Sequence, residues 1–211
     1  FKSIDWPDGI TSIGSYAFAY CSYLNTPSLP SGVTNIGNYA FHSCGNLALT
    51  SLPSGITSIG SYAFYSCANI ALTSLPSGIT SINSYTFYSC TRLALTSLPS
   101  GITSIGSNAF SGCTNLALTS LPSSLTTISD YSFYDCESIT LSTLPSSVTS
   151  IGTYAFHCCS GITSISCNGI ITTLGGYSFT GSSSKPSNLT SVSFPYMTAS
   201  ITNCFGYNAT F

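Results

Sequence analysis

Side chains suited to acid–base catalysis are few in this sequence of 211 residues. It contains two histidines, His42 and His157, and both occupy positions where equivalent segments carry tyrosine. A catalytic site needs groups of matched pKa within hydrogen-bond reach of one another, and these two are far apart in the chain. We therefore expect both to be structural, and we expect no catalytic residue, no cofactor and no enzymatic activity.

Two groups of residues could in principle hold a metal ion. The first is acidic and consists of Asp130, Asp135 and Glu137. A dedicated calcium loop alternates its oxygen ligands more densely than this. The second consists of three cysteines outside the regular spacing described below: Cys158, Cys167 and Cys204. Zinc sites usually contain closer cysteine pairs, so we expect no bound metal and leave open a disulfide between two of these three.

The other seven cysteines recur at a constant interval of 23 residues, each three residues after a phenylalanine. They are Cys21, Cys44, Cys67, Cys90, Cys113, Cys136 and Cys159. Such regularity favours a structural ladder in which each small side chain turns inward and its S–H group donates to a backbone carbonyl. Parallel Cβ directions would strain a disulfide between neighbours, so we expect these thiols to be reduced.

Tyrosines follow the same interval and form a column broken at Asn108. Its members are Tyr16, Tyr39, Tyr62, Tyr85, Tyr131, Tyr154 and Tyr177. A column of aromatic rings can stabilise neighbouring segments by stacking alone, or it can bind sugar faces or another chain. Both interpretations remain open from the sequence.

Repeats of 23 residues predict the architecture. Phenylalanine recurs eight times at this spacing from Phe18 to Phe179, and an isoleucine or leucine lies five residues before each one. A unit of this length cannot bury its own apolar side, so it must stack on its neighbours as one coil of a solenoid. Within a unit, Ile79–Ile82 reads as an extended segment and Tyr85–Cys90 as a tight corner. The sequence predicts parallel β coils with short 3₁₀ or helical corners, rich in β structure and without long helices.

The solenoid is predicted to be a single domain over residues 1–211, with about nine coils of 23 residues. The spacing between equivalent residues is longer by four near the C-terminal end. We therefore place a four-residue loop insertion within residues 181–187.

Two stretches carry a family resemblance. The segments Leu75-Pro-Ser-Gly-Ile-Thr-Ser-Ile82 and Ala63-Phe-Tyr-Ser-Cys-Ala-Asn-Ile70 resemble the BspA-type leucine-rich repeat, and the likeness extends over nearly the whole chain. The resemblance implies a leucine-rich-repeat fold. It also implies an extracellular or cell-surface location, no enzymatic activity, and a frequent link to adhesion.

Charge is scarce, which excludes some partners. Three lysine or arginine residues against five acidic ones give a net charge of −2, too little positive charge to neutralise a run of phosphates. Polar residues interrupt every apolar stretch before it reaches the roughly 18 residues that a membrane helix needs. We expect neither nucleic-acid binding nor a membrane span. Asn188 and Asn208 fit the acceptor pattern for N-glycosylation.

The apolar side chains near both ends lead to the functional hypothesis. They are Phe1, Ile4, Trp6, Phe205, Tyr207 and Phe211, and neither end resembles a charged cap. Because uncapped coils invite head-to-tail stacking, the first hypothesis is a structural protein that self-associates end to end into an extracellular filament. The alternative is a cell-surface adhesin domain that binds a host protein or glycan.

Overall fold

In the computed structural model the chain is described over residues 2–184 and 187–205, where it forms a solenoid of parallel strands. The predicted positions Phe1, Tyr207, Asn208 and Phe211 lie outside these described residues. Ten short strands follow one another: β1 Ser12–Ile13, β2 Asn35–Ile36, β3 Ser58–Ile59, β4 Ser81–Ile82, β5 Ser104–Ile105, β6 Thr127–Ile128, β7 Ser150–Ile151, β8 Ser164–Ser166, β9 Thr173–Leu174 and β10 Ser191–Ser193. The described residues contain no helix.

Strands of successive coils pair in parallel and in the same register, as Ser104↔Thr127 and Ile105↔Ile128 show for β5 and β6. The three sheets have the orders β1-β2-β3, β4-β5-β6-β7-β9 and β10-β8. One residue of each two-residue strand is a buried isoleucine or leucine, while its neighbour faces outward. The predicted fold class, a repeat solenoid of parallel β coils, is confirmed.

The core is built from columns, because equivalent residues of neighbouring coils stack on one another. The phenylalanine rings from Phe18 to Phe179 stack with centroid separations of 5.1 to 5.6 Å. Phe41, Phe64, Phe87 and Phe110 are fully buried. Burying each such side chain contributes roughly 1.5–3 kcal/mol, so this continuous column is the main source of the fold's stability.

Corners of the coils use backbone hydrogen bonds in alternation. The N–H groups of Tyr85, Phe87 and Ser89 donate to carbonyls of the next coil at 2.9, 2.9 and 2.8 Å. The N–H groups between them donate to the carbonyl three residues earlier, at 3.3, 3.3 and 3.1 Å for Thr86, Tyr88 and Cys90. A helix would direct every N–H group along its own segment. The predicted corners are therefore successions of 3₁₀-type turns that also hold adjacent coils together.

Coils approach most closely just after each strand, at a position that is usually glycine. A Cβ atom on Gly106 would lie 2.6 Å from the backbone nitrogen of Ser84. Asn83 occupies this position in one coil, and its Nδ2 donates to the Ile59 carbonyl at 2.7 Å. In the next coil the Gly106 N–H itself donates to Ile82 at 2.8 Å. The strand ladder is divided between β3 and β4, where the asparagine side chain separates the two coils.

The pairing offset changes near the C-terminal end. Thr172 and Thr149 are joined at an offset of 23 residues, whereas Thr190 and Thr163 are joined at an offset of 27. The N–H group of Cys158 still donates to Thr180, so the additional residues lie between Thr180 and Asn188. Beyond them, Phe205 stacks on Phe179 at 5.7 Å and continues the phenylalanine column.

Candidate recognition surface

The tyrosine column lies along the corners of the coils, where its rings stack face to face. Centroid separations are 4.7, 4.5 and 4.5 Å along the series Tyr16, Tyr39, Tyr62 and Tyr85. Beyond Asn108 the column resumes, with 5.0 Å for both Tyr131–Tyr154 and Tyr154–Tyr177. Interplanar angles stay between 4° and 15°. The structure thus brings together all seven predicted tyrosines, as two stacks separated by one coil.

A second aromatic column runs beside the first and includes both histidines. His42, Tyr65 and Tyr88 stack at 4.6 Å, and Tyr134 stacks on His157 at 5.1 Å. This column is interrupted at Ser111, in the same coil as Asn108. Rings of the two columns meet at a tilt, for example Tyr85 and Tyr88 at 5.8 Å. We call the two columns together the aromatic face; its members are Tyr16, Tyr39, His42, Tyr62, Tyr65, Tyr85, Tyr88, Tyr131, Tyr134, Tyr154, His157 and Tyr177.

Every tyrosine of the first column has a left-handed backbone conformation. The φ angles of Tyr62, Tyr85 and Tyr131 are 59°, 58° and 56°. Bulky residues rarely occupy this region, and each instance costs on the order of 1–3 kcal/mol. Asn108 holds the same position with φ of 55°, and asparagine tolerates this conformation better. The corner therefore does not require tyrosine, and stacking, worth roughly 0.5–1.5 kcal/mol a pair, offsets the strain.

Stacking sets both the exposure and the ionisation of the tyrosines. Rings inside a stack are half-buried and present their edges to solvent, whereas Tyr16, at the end of the column, is 60% exposed. Desolvation raises the pKa of Tyr62, and repulsion from Tyr85, Tyr39 and Tyr65 raises it further. The column is therefore an uncharged surface of ring edges and hydroxyl groups at neutral pH.

The two histidines lie in separate coils and are held by neighbouring hydroxyl groups. His42 Nδ1 lies 3.0 Å from Ser43 Oγ, and His157 Nδ1 lies 2.6 Å from Thr180 Oγ1. Burial lowers the pKa of both, and the Asp135 carboxylate opposes this lowering at His157. Their surroundings keep them as neutral members of the aromatic face.

Cysteines of the ladder turn into the core, where each thiol has a backbone partner. The Sγ atoms of Cys44 and Cys67 lie 2.9 Å from the carbonyl oxygens of Phe18 and Phe41, and later members repeat this contact at 3.0 Å. Burial raises the pKa of these thiols, to about 12 for Cys44. Buried thiols with raised pKa values are poor nucleophiles, so the ladder offers packing and hydrogen bonds rather than reactivity.

The irregular cysteines and the acidic group also have local roles. All ten cysteines are free thiols, and Cys167 and Cys204 donate to the carbonyls of Pro145 and Thr202, both at 3.4 Å. Asp130 Oδ1 accepts a 2.7 Å hydrogen bond from the Thr153 N–H group, as Asn38 does from Ser61. Within residues 2–184 and 187–205, no three histidine, cysteine or acidic side chains converge as metal ligands.

Residues predicted near the ends of the solenoid differ in their surroundings. Ile4 and Trp6 pack half-buried against the core, and Trp6 meets Phe18 edge to face at 5.5 Å. Phe205 is only 7% exposed. Asn188 is exposed, and its Nδ2 donates to the Ser160 carbonyl at 2.8 Å. In the part of the chain that the structure describes, no helix is long and apolar enough to cross a bilayer.

Sequence comparison identifies the repeat. The family described as BspA type leucine rich repeat region matches residues 1–117 and 80–210, with six copies of the repeat. The chain belongs to the BspA-type leucine-rich repeat family. This confirms the resemblance drawn from the Leu-Pro and Ala-Phe segments. No curated protein sequence matches this BspA-type chain.

Solved structures agree with the family. The leucine-rich repeat protein TpLRR of T. pallidum is 31% identical, with 75% of each chain covered and a TM-score of 0.64. A leucine-rich cell surface protein of Faecalibacterium prausnitzii is 21% identical over 93% of this chain and 70% of its own, with a TM-score of 0.57. The pneumococcal vaccine antigen PcpA is 19% identical over 92% of this chain and 61% of its own, with a TM-score of 0.51. The last two show the BspA-type fold alone.

Sequence reasoning located the tyrosine column and its break but missed what the backbone does there. The left-handed conformation of Tyr62 and its equivalents has no signal in a tyrosine, since this residue does not favour positive φ. The only indication was Asn108, a residue type that tolerates this conformation, standing in a tyrosine column.

Proposed function

We propose that this BspA-type chain is a non-enzymatic recognition module, displayed outside the cell, that binds its ligand through the aromatic face. The observation that carries the proposal is the tyrosine column with left-handed backbone, from Tyr16 to Tyr177. Strained residues that the scaffold does not require point to function.

Stability alone is a weaker explanation of the tyrosines. The phenylalanine and cysteine columns already join every coil through the core, and the coil of Asn108 closes with the same backbone geometry without a tyrosine. The rings also lie outside the core with their edges exposed. Conserving strain for an outer stack is favourable when the stack itself makes contact with a ligand.

Charge and relatives support an extracellular adhesin. The net charge of −2 leaves no basic surface for nucleic acid, and exposed tyrosine suits neutral ligands such as host glycans or protein surfaces. The similar structure from Faecalibacterium prausnitzii is described as a cell surface protein, and PcpA as a vaccine antigen. A cell-surface location is consistent with both.

Binding of the purified chain to cultured epithelial cells and to mucin-coated surfaces tests the proposal. The variant carries Tyr39→Asn, Tyr62→Asn and Tyr85→Asn, because asparagine accepts the left-handed backbone. The matched control carries Thr57→Ser, Thr80→Ser and Thr103→Ser in the exposed threonine column beside the strands. We expect at least a tenfold loss of binding for the tyrosine variant only. Equal binding by both variants and the parent chain would overturn the proposal.

End-to-end self-association into a filament is the second candidate. Tyr196 and Ile201 are 61% and 50% exposed in the last described coil, and β1 pairs only with β2. Apolar side chains and an open strand edge of this kind favour contact with another copy. Negative-stain electron microscopy at micromolar concentration would show fibres for the parent chain and short rods for Ile201→Asp. Dispersed rods for the parent chain would exclude this candidate.

A further inference from the structure

The break in the tyrosine column defines a slot. We propose that the space over Asn108, between the rings of Tyr85 and Tyr131, binds one neutral pyranose ring of a glycan. This inference rests on the proposed recognition function and assigns it a specific subsite and ligand class.

The backbone of the slot is that of every other coil, so only the ring is absent. Asn108 has a φ angle of 55°, against 58° and 56° for Tyr85 and Tyr131. Its N–H group donates to Asp130 at 3.0 Å, as the Tyr85 N–H group donates to Ser107 at 2.9 Å. Stacking continues on both sides, at 4.5 Å for Tyr62–Tyr85 and 5.0 Å for Tyr131–Tyr154. The two walls are therefore separated by two coil spacings, about 9.6 Å.

Exposure shows that one wall faces open space. Tyr131 is 36% exposed although it lies in an interior coil, whereas Tyr62 and Tyr154, which have rings on both sides, are half-buried. Tyr16 is more exposed still, at the end of the column. Tyr131 therefore resembles a terminal ring, as expected if its side towards Asn108 is uncovered.

The dimensions of the slot favour a saturated ring over an aromatic one. A planar ring midway between the walls would lie about 4.8 Å from each, beyond the ~3.5–4.0 Å at which carbon atoms attract most strongly. A pyranose chair is thicker, because axial C–H bonds project from both of its faces. It can therefore contact both tyrosine rings at once.

The floor of the slot requires a polar ligand. Asn108 is partly exposed, and its carboxamide has two donor hydrogens and an acceptor oxygen. An apolar aromatic side chain would cover this amide without hydrogen bonds, at a cost of roughly 1–3 kcal/mol. Sugar hydroxyl groups can both donate to it and accept from it, so they offset this cost.

Charges around the slot select a neutral sugar. Asp130 and Asp135 belong to the coil that supplies Tyr131, and their carboxylates disfavour an anionic sugar nearby. The chain has only three lysine and arginine residues in all. A neutral hexose, at a chain end or within a glycan, fits these surroundings.

Saturation-transfer difference NMR with three simple probes tests the slot. The probes are methyl β-D-glucopyranoside, methyl β-D-galactopyranoside and methyl α-D-mannopyranoside, each at millimolar concentration. We expect transfer from tyrosine rings to the ring C–H protons of at least one probe. Asn108→Tyr completes the column with a residue that seven coils already accommodate, so it should fold and reduce the transfer at least tenfold.

A control variant separates occupation of the slot from the addition of a tyrosine. Asn115→Tyr adds a tyrosine to the same coil at an exposed position, equivalent to Tyr23 of the first coil, and should leave the transfer unchanged. Absence of transfer for all three probes, or equal transfer with Asn108→Tyr, would overturn the pyranose assignment. So would preferential binding of indole-3-acetamide, a planar probe. If cell binding still depends on Tyr39, Tyr62 and Tyr85 in that case, the recognition function stands without this subsite.

Discussion

Tyr62 shows how one residue can combine local strain with favourable contacts. Its backbone has a φ angle of 59°, and its ring lies 4.5 Å from the rings of both Tyr39 and Tyr85. The first feature opposes folding and the second favours it. Substitutions at this position can separate the two effects.

Tyr62→Ala should lower the free energy of unfolding by about 1–3 kcal/mol, because it removes two stacks and keeps an unfavourable conformation. Tyr62→Asn removes the same stacks but tolerates positive φ, so it should be about 1 kcal/mol more stable than Tyr62→Ala. Urea unfolding followed by circular dichroism measures both. Equal stability of the two variants would show that the left-handed backbone carries no strain here.

Buried thiols predict the response of the protein to alkaline pH. The pKa of Cys44 is raised from 9.0 to about 12 by burial, and other ladder thiols are shifted in the same direction. Below pH 9 both folded and unfolded chains keep these thiols protonated, so the contribution to stability is complete. Between pH 9 and 12 only the unfolded chain releases the protons, and the free energy of unfolding should fall.

Unfolding measurements between pH 8 and 11 test this expectation. Cys90→Ala with Cys113→Ala should be less stable at pH 8 but lose stability less steeply above pH 9, since two buried thiols no longer titrate. A slope that does not change with the number of thiols would attribute the alkaline loss to other groups, such as the stacked tyrosines.

Among the elements, strand spacing depends on glycine at one position and not at another. A Cβ atom on Gly106 would lie 2.6 Å from a backbone nitrogen, whereas one on Gly101 would meet nothing closer than 3.9 Å. Gly106→Ala should therefore cost about 1–3 kcal/mol, while Gly101→Ala should be neutral or slightly stabilising. Thermal and urea unfolding of the two variants provide the comparison. A similar loss for both would indicate a general preference for glycine rather than close approach of coils.

The strands illustrate what could be predicted from the sequence and what could not. β-branched residues in Ile79–Ile82 and the constant spacing indicated parallel pairing, which β4 and β5 confirm. The alternation of hydrogen bonds at Tyr85–Cys90 could not be predicted, because it depends on where the next coil places its carbonyl groups. The division between β3 and β4 follows from Asn83, but only the close approach of coils explains why a side chain at that position matters.

For the whole molecule, stability is a sum of similar contacts between neighbouring coils. Phe110 is fully buried between Phe87 and Phe133, whereas Phe18 is half-buried and contacts Phe41 and Trp6. Phe110→Ala should cost about 3–5 kcal/mol, and Phe18→Ala roughly half as much. Guanidinium unfolding would measure the difference. Equal losses would contradict a nearest-neighbour description of the solenoid.

At this scale the sequence was most informative about the fold and least informative about the recognition surface. A 23-residue period cannot be satisfied by a compact globule, so the phenylalanine spacing alone implied stacked coils. The tyrosine column was equally regular, yet Tyr62 could have been an inner or an outer residue by spacing alone. Exposure of Tyr131 beside Asn108, which defines the slot, requires the positions of both neighbouring coils.

The interruption at Asn83 has a mechanical consequence. A surface protein held at one end and attached to a ligand at the other is pulled along its axis, and its coil junctions then bear the load in series. At the junction between β3 and β4 the Asn83 side chain replaces the backbone pair that Gly106 makes one coil later. Tension would open this junction first, so the molecule would yield at one defined point and keep its remaining coils intact.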